Sequence, residues 1–257
     1  MPFPPRLKRA GAAGLGLSPQ ARFERCLFLI GHMRCGSTAL ANILCAHPEV
    51  SGYGESHVTY DHQAAPAALI LNQIRRRRWK PRARFLFDKI LHDRLDAAAP
   101  PAFHRARAIF LFREPAPAIA SIQQLFDAIG SREYASADRA AAYYAGRLAG
   151  MRRLWSRFPA DRRIALSYED LVSTPTGALA RLSAFLDLAP PLRNAYPAEA
   201  SPLRAGAGDP LAAPHLTGIV VGGLQGERAA VSVRSFDPAR KAHDDFRTLA
   251  VQAGDAA

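Results

Sequence analysis

Apolar runs of three to five residues recur along the chain, separated by longer stretches with helical spacing. Leu27 to Ile30 predicts a first strand, because a short continuous apolar run is the mark of a strand covered on both faces. Phe85 to Asp88, ending at Lys89, Ala108 to Phe112 and Ile164 to Ser167 predict three more. Helical spacing follows at Ser37 to Leu44, where Ser37 and Thr38 are good N-terminal caps. It returns at Val58 to Arg75, interrupted or restarted at Pro66, and at Leu91 to Ala99, stopped by Pro100-Pro101. Ala116 to Ile129, Ala137 to Phe158, Thr176 to Leu186 and Pro238 to Val251 read as further helices. Glu49 to His57 reads as a connection with a small strand, and Leu216 to Gly226 as loop or short strand. Strands alternating with helices predict an α/β fold, a three-layer sandwich around a central parallel sheet.

In such sheets ligands sit beyond the carboxyl ends of the strands. The segment Cys26 to His47 is built for that position: a strand, a turn bounded by Gly31 and Gly36, then a helix N-terminus. Backbone N–H groups converge in such a turn, and the positive end of the helix dipole faces it, so it binds anions. Arg34 adds a charge and a fork of donors suited to phosphate or sulfate oxygens. Against the nucleotide-triphosphate loop G-x-x-x-x-G-K-[ST], Gly31 to Thr38 keeps both glycines and the hydroxyl, but Ser37 stands in the lysine's place. The cation has moved inside the loop. That departs from Mg·ATP chemistry, where the lysine reaches the terminal phosphates, and favours an anion held by amides and arginine without a metal. The plain alternative is a strand-turn-helix with glycine for geometry alone. Arg34, Lys89 and Arg113 each fall just past the end of a predicted strand, and parallel topology would gather them in one crevice.

The chain has 257 residues, 49% of them hydrophobic, and a formal net charge of +12. That length fits a single domain, 23–257, after a flexible N-terminal segment, 1–22. The charge calls for an anionic partner without choosing among nucleic acid, acidic lipid and a phosphorylated small molecule. The most basic run, Arg75 to Arg82, contains one tryptophan and belongs to no recognisable nucleic-acid module. A solvated helix end ranks first for it, the rim of an anionic pocket second, and nucleic acid a distant third. Cys26, Cys35 and Cys45 form no C-x-x-C pair, so they read as small hydrophobes in a reducing compartment, with Cys35 exposed in the loop. The first residues lack the apolar core of a signal peptide, and no run approaches the roughly 20 apolar residues that span a bilayer. The expected location is the cytoplasm, with no membrane and no nucleic-acid partner.

The loop GHMRCGST, the strand end Arg113-x-Pro115 with the later Ser121, and Tyr168-Glu-Asp-Leu171 together resemble the sulfotransferases. Those enzymes have a P-loop NTPase-like fold and use 3′-phosphoadenosine-5′-phosphosulfate (PAPS) as co-substrate. In motif style the closest branches are the bacterial and protein-tyrosine ones. The resemblance implies that Arg34, Cys35 and the amides of Gly36, Ser37, Thr38 and Ala39 hold the 5′-phosphosulfate, and that Arg113 and Ser121 bind the 3′-phosphate. Tyr168 would pack near the adenosine or the 3′-phosphate, or else tie the sheet to the next helix.

Transfer to a hydroxyl also needs a base and a cation for the leaving oxygen. The resemblance makes Glu55 the base, with His57 as competitor and His32 as a third candidate, and gives Lys89 the leaving-group role. The ordinary alternative is an ion pair for Glu55 and Lys89, a solvent-exposed or core-bonded imidazole for His57, and a cofactor contact or helix cap for His32. The helix carrying Tyr60, His62 and Leu69 would form part of an acceptor wall. Gly222 to Arg228, or Val233 to Lys241 with Arg234, would close over the donor. The expected acceptor is a small molecule, and the Ala- and Arg-rich composition associates with bacterial natural-product biosynthesis. Two other classes stay open on sequence: a P-loop small-molecule kinase, and a nucleotide- or nucleic-acid-binding protein without transfer chemistry. Glu55 and Lys89 discriminate against a pure binder, which needs neither, and the missing loop lysine and the lack of a clear Mg²⁺ carboxylate after a strand count against the kinase.

Overall fold

In a computed structural model the described residues are 18–197, 216–222 and 233–254. Cys26–Gly31 (β1) is the central strand of a five-stranded sheet. Phe85–Ile90 (β3) pairs on one side of it and Arg107–Phe112 (β4) on the other, all parallel. The short strand Val50–Ser51 (β2) extends the sheet beyond β3, and Arg163–Ser167 (β5) extends it beyond β4. The strand order is therefore β2-β3-β1-β4-β5. The chain leaves β1 toward one edge and β4 toward the other, which opens a crevice above the carboxyl ends of those two strands.

Period-two alternation assigns strand residues to the two faces. Phe28, Ile30, Leu86, Ile90, Phe110 and Phe112 face one core, with residues of helices Ala65–Arg75 (α2), Pro115–Ala128 (α4), Ala137–Arg157 (α5) and Val233–Gly254 (α8). Leu27, Leu29, Phe87, Ile109 and Leu111 face the other, with helices Ser37–Ala46 (α1), Tyr168–Ser173 (α6) and Pro175–Leu186 (α7). Between β3 and β4 lie one short α-helix, Asp93–Asp96 (α3), and a 3-10 turn, Pro101–Arg105. The three-layer sandwich expected from the pattern is the observed architecture. Among the described residues no helix is long and apolar enough to cross a membrane.

Several boundaries differ from the sequence reading, each for a physical reason. The helix expected from Val58 starts only at Ala65, because Pro66 suits a first turn, where its missing N–H costs nothing. The helix expected over Leu91 to Ala99 shrinks to Asp93–Asp96. Tyr168–Ser173, to which the pattern assigns no element, is helical, its first turn capped by the Ser167 hydroxyl accepting from the Asp170 N–H. Lys89 lies inside β3, one residue before its end, and not beyond it. At the N-terminus, Gln20 is buried and donates to the Lys80 and Ala83 carbonyls, so it packs with the domain. Residues 1–17 of the expected flexible segment lie outside the described residues, as do Gly223 to Arg228 and the side chain of Arg234.

Candidate active site

The turn after β1 is shaped by two left-handed residues, Arg34 (φ 64°) and Gly36 (φ 85°). Gly36, not Ser37 or Thr38, caps α1, and Ser37 is its buried first residue. Position 36 admits only glycine twice over. Its φ lies in the left-handed region, and a Cβ there would come within 2.6 Å of the Tyr168 ring. Cys35 turns inward and is fully buried against Gly31 and the second core, so only its backbone can serve a ligand; the expectation of an exposed thiol is corrected.

Two clusters flank this turn. On the β4 side, the Arg113 side chain donates to the Arg34 carbonyl at 3.2 Å, and its guanidinium carbon stands 4.1 Å from the Tyr168 ring centroid. Arg113 Nε is buried with no hydrogen-bond partner, the kind of orphan donor that a bound anion satisfies. Arg34 Nε donates to the Ser121 hydroxyl at 2.8 Å. Arg34, Arg113, Ser121 and Tyr168 therefore form one connected group. Arg34 reaches toward Ser121 and the α4 side rather than toward Lys89.

On the β3 side, Lys89 Nζ lies 3.1 Å from Glu55 Oε1 and donates to Thr38 Oγ1 at 3.3 Å. The lysine side chain is 3% exposed and the glutamate 17%. The Glu55 loop is fastened to β3 by Asp88, whose Oδ1 accepts the Ser56 and Lys89 N–H groups and whose Oδ2 accepts the Tyr60 hydroxyl. Burial pushes the Asp88 carboxyl up to about 7, against these donors, which pull it down. Tyr60 and Leu69 thus belong to the core, and the acceptor wall expected from them is not where they sit. His62 lies apart from both, exposed and paired with Asp61.

His57 is exposed, with a left-handed backbone (φ 52°). His92, two residues past β3, is partly buried; burial draws its imidazole below the usual value while the nearby Glu55 charge opposes this. It is the histidine that sequence reasoning passed over, although Lys89-x-x-His92 at a strand end is a visible signal. His32 touches no solvent. Its Nε2 accepts the Arg113 N–H at 3.1 Å, and its Nδ1 lies 2.8 Å from the Met33 carbonyl. These contacts fix the neutral ring with its proton on Nδ1, and burial lowers its pKa to about 3. It is a structural joint, not a base.

The largest omission of the sequence reading is α5. Tyr143 accepts the Met33 N–H and donates to the Leu91 carbonyl, and Tyr144 donates to the Arg113 carbonyl. Arg147 is 2% exposed and spends all five N–H donors. They go to the Gly31 and Ile90 carbonyls, to Asp93 and twice to Asp96. One helix thus grips the ends of β1, β3 and β4. The signal was present: Arg147 lies in the apolar stripe of Tyr144, Leu148 and Met151, where a charged residue must be paired.

A family model described as "Sulfotransferase family" matches residues 57–191. That span takes in His57, Lys89, Arg113, Ser121 and Tyr168 and starts just after Glu55. No curated protein sequence matches the chain. Among solved structures, the sulfotransferase domain of the Synechococcus PCC 7002 olefin synthase is similar with a TM-score of 0.55 at 18% identity, over 84% of this chain and 93% of that one. The sulfotransferase domain from the curacin biosynthetic pathway gives 0.50 at 16% identity, over 84% and 96%. Sulfotransferase STF1 from Mycobacterium tuberculosis H37Rv gives 0.50 at 14%, over 71% and 72%. At these identities the likeness is one of fold.

Proposed function

The chain belongs to the sulfotransferase family, and from that premise we propose that it carries a sulfuryl group from PAPS to a hydroxyl of a small-molecule acceptor by in-line transfer. Family membership makes it a sulfotransferase enzyme and sets aside the kinase and the non-catalytic binder. The donor and the roles of individual residues are our reading.

The observation that carries it is the buried Lys89, within reach of both Glu55 and Thr38 at the N-terminus of α1. PAPS supplies a sulfuryl group already activated by its link to phosphate. The Glu55 carboxylate takes the acceptor's hydroxyl proton as the oxygen attacks. The Lys89 ammonium meets the negative charge that develops on the released phosphate oxygen. The amides at Gly36 to Ala39 and the α1 dipole hold the 5′-phosphosulfate without a metal. Arg113, whose Nε lacks a partner, takes the 3′-phosphate with Ser121 beside it. Tyr168, stacked on Arg113 and wedged against Gly36, holds the two subsites in register.

Thermal shift with purified protein tests the donor. The desulfated product 3′-phosphoadenosine-5′-phosphate (PAP) raises the melting temperature by several degrees, and Mg·ATP does not. A larger shift with Mg·ATP overturns the donor assignment. Radiolabelled PAPS with panels of phenols, sugars and aliphatic alcohols then identifies the acceptor class.

A further inference from the structure

Away from both clusters, at the β2 edge of the sheet, lies a cavity of about 400 Å³. Arg76, Arg77, Arg78 and Lys80 line it together with Tyr53 and Trp79, and among the described residues no carboxylate does. This is the basic run that reads from sequence as a solvated helix end. The structure fastens it instead. Arg77 turns the chain with a left-handed backbone (φ 54°), and the Arg78 N–H returns to the Gln73 carbonyl. Gln73 is buried and donates to the carbonyls of Ser51 and Phe87, so the turn is pinned to β2 and β3. The Lys80 N–H donates to the Ser51 hydroxyl, and the Trp79 indole N–H donates to the Gln20 side chain. Lys80 Nζ is occupied in capping α1, on the Cys45 and His47 carbonyls. Arg77 and Arg78 form no ion pair with a carboxylate among the described residues. Arg76 lies 5.3 Å from the Tyr53 ring centroid.

Two stretches of chain run from the cavity wall to the Lys89–Glu55 cluster. Thr38, Asn42 and Cys45 are spaced i, i+4, i+7 on one face of α1. Thr38 touches Lys89, while Asn42 and Cys45 line the cavity. Seven residues of helix rise span about 10 Å. The other wall holds Gly52 and Tyr53, and Tyr53 lies two residues, about 7 Å of extended chain, from Glu55.

We infer that this cavity is an acceptor subsite for a phosphate ester. The alcohol that is sulfurylated carries a second, tetrahedral oxyanion about 7–10 Å from its reacting hydroxyl. The Arg77 and Arg78 guanidinium forks match phosphate oxygens bidentately, and Tyr53 and Trp79 flank the carbon skeleton between the two ends. The inference rests on the sulfuryl-transfer reading and adds the acceptor's class to it.

The test uses full-length protein and three probes: octanediol, its monophosphate and ethanediol monophosphate. Calorimetric titration of the protein saturated with PAP gives affinities, and radiolabelled PAPS in the absence of PAP gives transfer. Octanediol monophosphate is expected to bind at least about tenfold more tightly than octanediol, a difference of about 1.4 kcal/mol. It is also expected to accept label, whereas ethanediol monophosphate is too short to span both ends. Charge reversal in Arg77→Glu/Arg78→Glu abolishes the phosphate advantage. Arg78→Gln alone reduces it and serves if the double variant fails to fold, with melting temperature and PAP affinity as controls. Equal binding of octanediol and its phosphate, or an advantage that survives charge reversal, overturns the subsite. If PAP binds and label is transferred without phosphate preference, the subsite fails and the transfer reading stands. If the phosphate binds but PAP does not and no label moves, the transfer reading fails and the acceptor role with it.

Discussion

The Lys89 ammonium lies 3.1 Å from Glu55 Oε1. The proposed base and the proposed leaving-group cation are therefore direct neighbours, both largely removed from solvent. They reach this position from different elements, Lys89 from inside β3 and Glu55 from the loop after β2. Asp88, next to the lysine, accepts the N–H of the residue after the glutamate and so sets the spacing of the two.

Glu55→Gln removes the proton acceptor and keeps the shape. It is expected to lower kcat about 10²–10⁴-fold, with PAP affinity retained. His57→Ala, at an exposed position, leaves kcat unchanged. Steady-state kinetics with labelled donor decides between the two, and the opposite pattern transfers the base to His57.

Lys89→Met keeps the bulk of the stem and removes the charge. A fall in kcat of about 10²–10³ is expected, comparable with loss of one preorganised oxyanion donor. The KM for the donor changes less. A loss confined to KM assigns Lys89 to ground-state binding.

Arg147→Met is expected to destabilise the fold by about 3–5 kcal/mol, because it strands the buried Asp96 charge and two strand-end carbonyls. Urea unfolding measures it. Arg147→Met/Asp96→Leu recovers part of the loss, since it removes the unpaired charge as well. A cost under about 1 kcal/mol for the single variant, typical of an exposed pair, rejects the clamp.

Asp88 gives a pH dependence of defined sign. Its carboxyl rises from an ordinary 3.8 to about 7 in the folded chain through burial, so the folded state holds the proton more tightly. The associated stability is full below the ordinary value and is lost as pH climbs through about 7. The melting temperature of the wild type is expected to fall relative to that of Asp88→Asn between pH 4 and pH 8. A difference that stays flat across that range shows that Asp88 does not titrate there.

Much of the architecture was legible because it depends on local pattern. Runs such as Leu27 to Ile30 can only be strands buried on both faces, and Gly31 and Gly36 mark a turn that other residues cannot make. The family resemblance reached the same fold from motifs, and the family match over residues 57–191 agrees with it. The illegible part depends on direction. Cys35 in a polar turn gives no sign that its side chain points inward. Tyr60 looks like a wall residue until Asp88 claims its hydroxyl. In α5, many arginines share one helix, and only the position of Arg147 relative to Tyr144 and Met151 distinguishes the inward one. The basic run at Arg75 to Arg82 shows the same limit. Composition gave its charge, but its concave setting comes from Gln73 and Ser51, which lie outside it.

The His32 ring joins the turn after β1 to the turn after β4 through Met33 and Arg113, and its pKa of about 3 keeps that joint neutral at any pH a cell maintains. The two turns assigned to opposite ends of the donor are thus tied to each other through one buried ring. The entropy of aligning them is lost when the chain folds rather than when it meets a ligand, which leaves more of the contact energy to appear as affinity.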